Sequence, residues 1–193
     1  KGIFYNFSDF FFILCTQFVS FLFVLKIEIS STMLYKLKLI HFNFCPFAKK
    51  EFVGESIHYE HVDERAVDEQ LAALVYEFER LDNNPNIETT LVILAIGQES
   101  FFDYLDLLEL ANRLLVQMNY EGVYQLASFH PDYCFDGVRQ KDPSNYTNRS
   151  PYPVIHIIRE DSLQRALEKY PDPENIPDRN VERATETGTQ VFQ

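Results

Sequence analysis

The stretch Thr89-Thr-Leu-Val-Ile-Leu-Ala-Ile96 is short, continuous in its hydrophobicity and rich in β-branched residues. A half-wet strand alternates apolar and polar side chains, so an unbroken run of this length predicts a strand covered on both faces, central in a sheet. That requirement shapes everything around it, because layers must exist above and below. Upstream, Ser56–Val62 alternates with the period of a strand. Asp63 then precedes a helix in which Val67, Leu71, Leu74, Val75, Phe78 and Leu81 recur at steps of three and four, stopped by Asp82-Asn-Asn-Pro-Asn86.

Downstream, Ser100 with Asp103 has the form of a capping box opening a second helix, whose apolar face is Phe101, Tyr104, Leu105, Leu108, Ala111, Leu115 and Met118. Gly122 marks the exit into a third strand, Val123–Phe129. A fourth strand, Val154–Ile158, follows an irregular proline-rich stretch, and a short helix runs from Asp161 or Ser162 to Tyr170. The prolines of Pro171–Asn180 end that helix, and the residues after Arg183 read as a polar, frayed tail. Strands separated by helices of this length predict an α/β fold: a single layered domain over residues 34–183, with about four strands and helical crossovers. Residues 1–33 form a separate hydrophobic segment and 184–193 the tail.

Charge narrows the partners. A net charge of −12 repels a phosphate backbone, and the 17 Lys and Arg residues form no basic stripe, so nucleic acid is not expected. Cys15, Cys45 and Cys134 are odd in number, widely spaced and free of any Cys-x-x-Cys pair, which fits a reducing, cytoplasmic compartment. The apolar run Phe10–Leu25 is interrupted by Thr16, Gln17 and Ser20 and is short of the roughly 17 to 25 residues a bilayer crossing needs. A buried or unrelated extension is therefore expected over a membrane anchor.

Two stretches could carry chemistry. Cys45 stands immediately before Pro46 and a short helix, where unpaired amides and the helix dipole lower a thiol pKa and favour a nucleophile. The alternative is a small buried hydrophobe between Phe44 and Phe47. The second stretch, Ser128 to Glu160, gathers His130, Asp132, Asn145, Asn148, Arg149, His156 and Arg159 around four prolines. His130 and Asp132 lie at a strand end, where α/β sheets place ligands, and could move a proton or share a metal with His156. The metal reading is the weaker one, since these residues lack a tight ligand spacing, and no metal is assigned.

Arg149, among Asn145, Thr147, Asn148 and Ser150, could clamp a carboxylate or phosphate, joined by Arg159 if that strand end faces the same cleft. Against this stands the reading that the same side chains satisfy the backbone of a long buried loop. No motif names a cofactor or an oligomeric state.

Cys45-Pro-Phe-Ala48 is similar to the active-site tetrapeptide of omega-class glutathione transferases, which implies a thioredoxin-like thiol protein as one alternative. More of the chain resembles a bacterial family defined as domain of unknown function 1415. The resemblance is carried by Phe44–Ala48, Glu88–Leu91, Ala127–Tyr133, Asn145–Pro153 and His156–Glu160, in that order. It implies a cytoplasmic α/β protein and groups Cys45, His130, Asp132, Asn145, Arg149 and His156 as one set. The expected function is an enzyme-like domain that binds a small anionic metabolite in a cleft lined by residues 128–160. There His130, Asp132 and Cys45 are the catalytic candidates, and Asn145, Asn148, Arg149, His156 and Arg159 hold the ligand. The alternative is a non-catalytic sensing or partner-binding module whose polar loop is structural.

Overall fold

The structure is a computed structural model that describes residues 48–188. In chain order it contains α1 (Ala48–Val53), β1 (Ile57–Val62), α2 (Val67–Asn83), β2 (Thr89–Leu94), α3 (Phe101–Gln117), β3 (Tyr124–Phe129), β4 (Val154–Arg159), α4 (Glu160–Leu167) and α5 (Ile176–Thr187). The four strands form one mixed sheet in the order β1-β2-β4-β3. β1 and β2 are parallel, joined by α2, while β4 inserts antiparallel between β2 and β3. The α/β architecture expected from the sequence is thus present, with the unbroken apolar run as an interior strand. Every residue of β2 is buried.

One face of the sheet carries Val62, Val92, Leu94, Leu126, Ile155 and Ile157, which join Leu74, Phe78 and Leu81 of α2 and Tyr104, Leu107, Ala111 and Leu115 of α3 in one cluster. Burying such side chains is worth roughly 1.5–3 kcal/mol each, which makes this cluster the main stabilising unit. Ser100 caps α3 by accepting the Asp103 amide N–H at 3.4 Å. The opposite face holds Leu91, Ile93, Ala127, Phe129 and Ile158, all buried, together with His156.

Tyr104 ties the helical layer to the sheet end from which the long loop departs. Its hydroxyl donates to the Val154 carbonyl at 2.8 Å and accepts from the Phe129 amide at 3.1 Å, so one phenol braces the ends of β3 and β4. Burial pushes its pKa well above the usual phenol range.

The structure departs from the sequence reading after residue 171. A 3₁₀ turn, Pro173–Asn175, leads directly into α5 with Pro177 in its first turn. Proline is tolerated there because the amide it lacks would have no helical acceptor. Ile176, Asn180 and Ala184 recur every fourth residue and are buried, and α5 packs along the 3₁₀ turn Pro143–Thr147 of the long loop. Among the described residues, no helix is long and apolar enough to cross a membrane.

Candidate functional site

The segment between β3 and β4 contains the residues that the sequence singles out, and its geometry is set by its own backbone. His130 is completely buried and packs its ring against Phe101 and Tyr104 of α3 at 5.3 Å each. Its Nε2 lies 2.9 Å from the Gln98 carbonyl, which can only accept, so this nitrogen carries the proton. Nδ1 then accepts the Asp132 amide N–H at 3.0 Å. Both ring nitrogens are occupied, and burial pulls the imidazole pKa below its ordinary value. The side chain of Asp132 is exposed, and the hydrogen bond it gives the histidine comes from its main chain.

Gln98 belongs to a chain of buried amides that the sequence did not reveal. Its Nε2 donates to Gln70 Oε1 at 2.7 Å, and Gln70 Nε2 donates to the carbonyls of Glu64 and Ile96. The turn that delivers Gln98 requires Gly97, at φ +94°, where a Cβ would come within 3.0 Å of Arg65 Cα and 3.1 Å of Gln70 Nε2. The available signal was Gln70 falling four residues before Leu74 on the inward face of α2.

The remaining loop residues are similarly engaged. Asn145 is fully buried; its Oδ1 accepts the Phe135 amide at 3.0 Å and its Nδ2 reaches the Arg139 and Gln140 carbonyls at 2.8 and 3.3 Å. Asn148 donates to the Ser128 carbonyl at 3.3 Å and accepts the Thr147 hydroxyl at 2.9 Å, while its carbonyl accepts the His130 amide. Arg149 donates from Nε to the Tyr133 carbonyl at 3.1 Å and from its guanidinium to the Gln140 carbonyl at 2.7 Å, with its Cζ 4.6 Å from the centroid of the Tyr146 ring. A loop this long has many main-chain groups without a ladder partner, and these side chains supply the partners.

His156 and Arg159 do not join this set. Leu91 and Ala127 flank His156 in register on the face of the sheet opposite Ile155 and Ile157. His130, by contrast, packs on α3, so the two histidines lie on different faces and cannot share a metal. His156 is 3% exposed, and burial depresses its pKa to about 3. The Thr89 hydroxyl donates to the Ile157 carbonyl at 2.7 Å, so it accepts from His156 Nε2–H and leaves His156 Nδ1 buried without a hydrogen-bond partner.

Arg159 pairs with Tyr124 at the other end of β4 from Val154 and Phe129, about 17 Å away at the usual strand rise. Its guanidinium donates to the carbonyls of Ile87, Leu81 and Asn84 and to the Tyr124 hydroxyl, closing the C-terminal end of α2. The joint clamp of Arg149 and Arg159 expected from the sequence is therefore not formed. Cys45, and with it the thioredoxin-like alternative, lies outside the described residues.

Arg159 instead borders a groove of about 430 Å³ between the end of α2 and the start of α4. Asp82, Glu88, Asp161, Ser162 and Arg165 also line it. Ser162 donates to Glu88 Oε2 at 2.5 Å and receives Arg165 at 2.8 Å, while the Asp82 carboxylate accepts from the hydroxyls of Tyr120 and Tyr124. Among the described residues, His58, Glu60 and Glu77 also bring one ligand atom each within 4.8 Å of one another, at the β1 edge of the sheet.

A mixed four-stranded α/β domain with a braced polar loop is the class these features define. The family model described as protein of unknown function DUF1415 matches residues 32–193, and the chain belongs to that family. No curated protein and no solved structure gives a significant match.

Proposed function

We propose that this domain is a small-molecule-binding module in which the loop of residues 130–153 is a structural frame and the ligand is taken in the groove beside Arg165, Ser162 and Glu88. The observation that carries this reading is the state of the loop's polar groups. Both nitrogens of His130, the whole amide of Asn145 and two arms of Arg149 are engaged by the protein's own main chain and amides. A general base must have a nitrogen free to take a proton, and an anion clamp must have donors free to give.

The groove differs in its opening to solvent. Its volume lies within the range of about 300–1,000 Å³ that suits a metabolite. Its Arg165 guanidinium donates to Ser162 at 2.8 Å and lies 3.5 Å from the exposed Asp161 carboxylate, but with its side chain 58% open it can exchange that solvent-exposed ion pair for a ligand carboxylate. A guanidinium beside carboxylates suits a small ligand that carries both a carboxylate and an ammonium group, an amino-acid-like zwitterion. In this reading the ligand's anionic group is held by Arg165 rather than by Arg149.

Calorimetric titration of the full chain with a panel of free amino acids and, separately, simple dicarboxylates tests this. Saturable binding of an amino acid that is lost in Arg165→Ala and kept in Arg149→Lys supports the proposal. Binding of either probe class that survives Arg165→Ala, or no binding by any of them, overturns it.

A further inference from the structure

The apolar stripe of α2 is interrupted by a carboxylate. Glu77 follows Gln70 and Leu74 along the buried face and precedes Phe78 and Leu81, yet it is only 1% exposed. An ionised carboxylate so placed needs partners on both oxygens, because removing a charge from water costs several kcal/mol unless the site returns it. Oε1 accepts from Arg80 Nε at 2.8 Å. Oε2 is buried and has no hydrogen-bond partner.

That oxygen faces two side chains of β1. His58 and Glu60 are two residues apart on a strand and project to the same side, the side on which α2 packs. His58 Nε2 lies 3.6 Å from Glu77 Oε2 and 3.4 Å from Glu60 Oε2. These separations are long for N–H···O hydrogen bonds, which centre on about 2.9–3.0 Å. They agree with the edge of a tetrahedron built on metal–ligand bonds of about 2.0–2.2 Å, which is about 3.4 Å. All three ligand atoms lie within 4.8 Å of one another, and His58 and Glu60 keep about a quarter to a third of their side chains open, a route for ion entry.

We propose that His58 Nε2, Glu60 Oε2 and Glu77 Oε2 form a binding site for a divalent transition-metal ion of the zinc type, with a solvent molecule completing the coordination. One imidazole and two carboxylates are ligands that zinc accepts readily, and the two negative charges offset the ion's charge. Arg80 is the supporting residue: it holds Glu77 through Oε1, which leaves Glu77 Oε2 to face His58, and its guanidinium also lies 3.7 Å from Glu60 Oε2. The ion would join the edge strand β1 to α2. The competing arrangement is an imidazolium bridging the two carboxylates with no metal, and the two differ in what they bind.

Full-length protein stripped with a chelator and titrated with ZnCl₂ alone tests the site, with CoCl₂ as a spectroscopic probe of coordination. The expected result is one high-affinity ion per chain, with Co²⁺ showing the strong visible absorption of tetrahedral coordination. His58→Gln and Glu77→Gln should each weaken binding by about tenfold or more, since loss of an outer-sphere partner alone typically costs 10–100-fold. His61→Gln, on the same strand with a half-exposed side chain on the opposite face, should leave it unchanged. If Glu77→Gln does not fold, His58→Gln at the half-open edge decides the question. No Zn²⁺ binding by the stripped wild-type chain, or binding of equal strength in His58→Gln, overturns the proposal.

Discussion

Acid should unfold this protein partly through one histidine. His156 is buried between β2 and β3, and burial holds its pKa near 3, whereas an exposed imidazole titrates near 6.5. The unfolded chain therefore takes up this proton as pH falls below about 6.5, while the folded chain declines it until about pH 3. Protons bound preferentially by the unfolded state favour unfolding, so this contribution is complete above pH 6.5 and is lost as pH falls towards 3. The slope is about 1.4 kcal/mol per pH unit inside that window, which makes the loss between pH 7 and pH 5 about 2 kcal/mol.

The assay is urea unfolding of the wild type and His156→Gln at pH 7, 6 and 5. Glutamine keeps a donor for Thr89 and removes the titration. Carboxylates and His130 titrate alike in both proteins, so the difference between the two pH profiles isolates His156. The variant is expected to be less stable at pH 7 and to close about 2 kcal/mol of that gap by pH 5. Parallel profiles would refute the assignment of a buried neutral imidazole.

Two further substitutions probe the supports of the loop. Gly97→Ala places a Cβ against Arg65 Cα at a positive φ, and thermal unfolding should show a loss of about 1–3 kcal/mol. Tyr104→Phe removes the hydroxyl that serves both the Phe129 amide and the Val154 carbonyl, and should cost about 1–3 kcal/mol in urea unfolding, with faster amide exchange at Phe129.

Much of the fold could be read along the chain because each signal was local. The β-branched run at Thr89–Leu94 needed no partner to be recognised as a covered strand, and Ser100 announced the start of α3 within four residues. The last helix was hidden by its prolines: Pro171, Pro173 and Pro177 read as stops, although only position in the first turn decides whether proline ends a helix or begins one. The buried recurrence of Ile176, Asn180 and Ala184 was the contrary signal.

The site was less legible for a physical reason. Asn145, Asn148, Arg149 and His130 are the residue types that bind metabolites, and also the types that a long irregular loop requires to satisfy its amides and carbonyls. Their identity is the same in both cases; only the direction of each donor distinguishes them. Strand direction likewise decided Arg159, which stands at the far end of β4 from Arg149 because the strand has no turn between them. The grouping of His58 and Glu60 with Glu77 depends on how α2 docks against β1, and periodicity gives a helix a face but not a partner.

Asn145→Ala offers the most direct test of the central claim that the polar loop is a structural frame. The substitution strips the Phe135 amide and the Arg139 and Gln140 carbonyls of their buried partner. Losses of this kind cost about 1–3 kcal/mol for each group left unsatisfied. Urea unfolding at pH 7 is predicted to show Asn145→Ala less stable than the wild type by at least about 2 kcal/mol, with no ligand present. Unchanged stability, within about 0.5 kcal/mol, would mean that the asparagine is held for something other than its own loop, and would contradict the account.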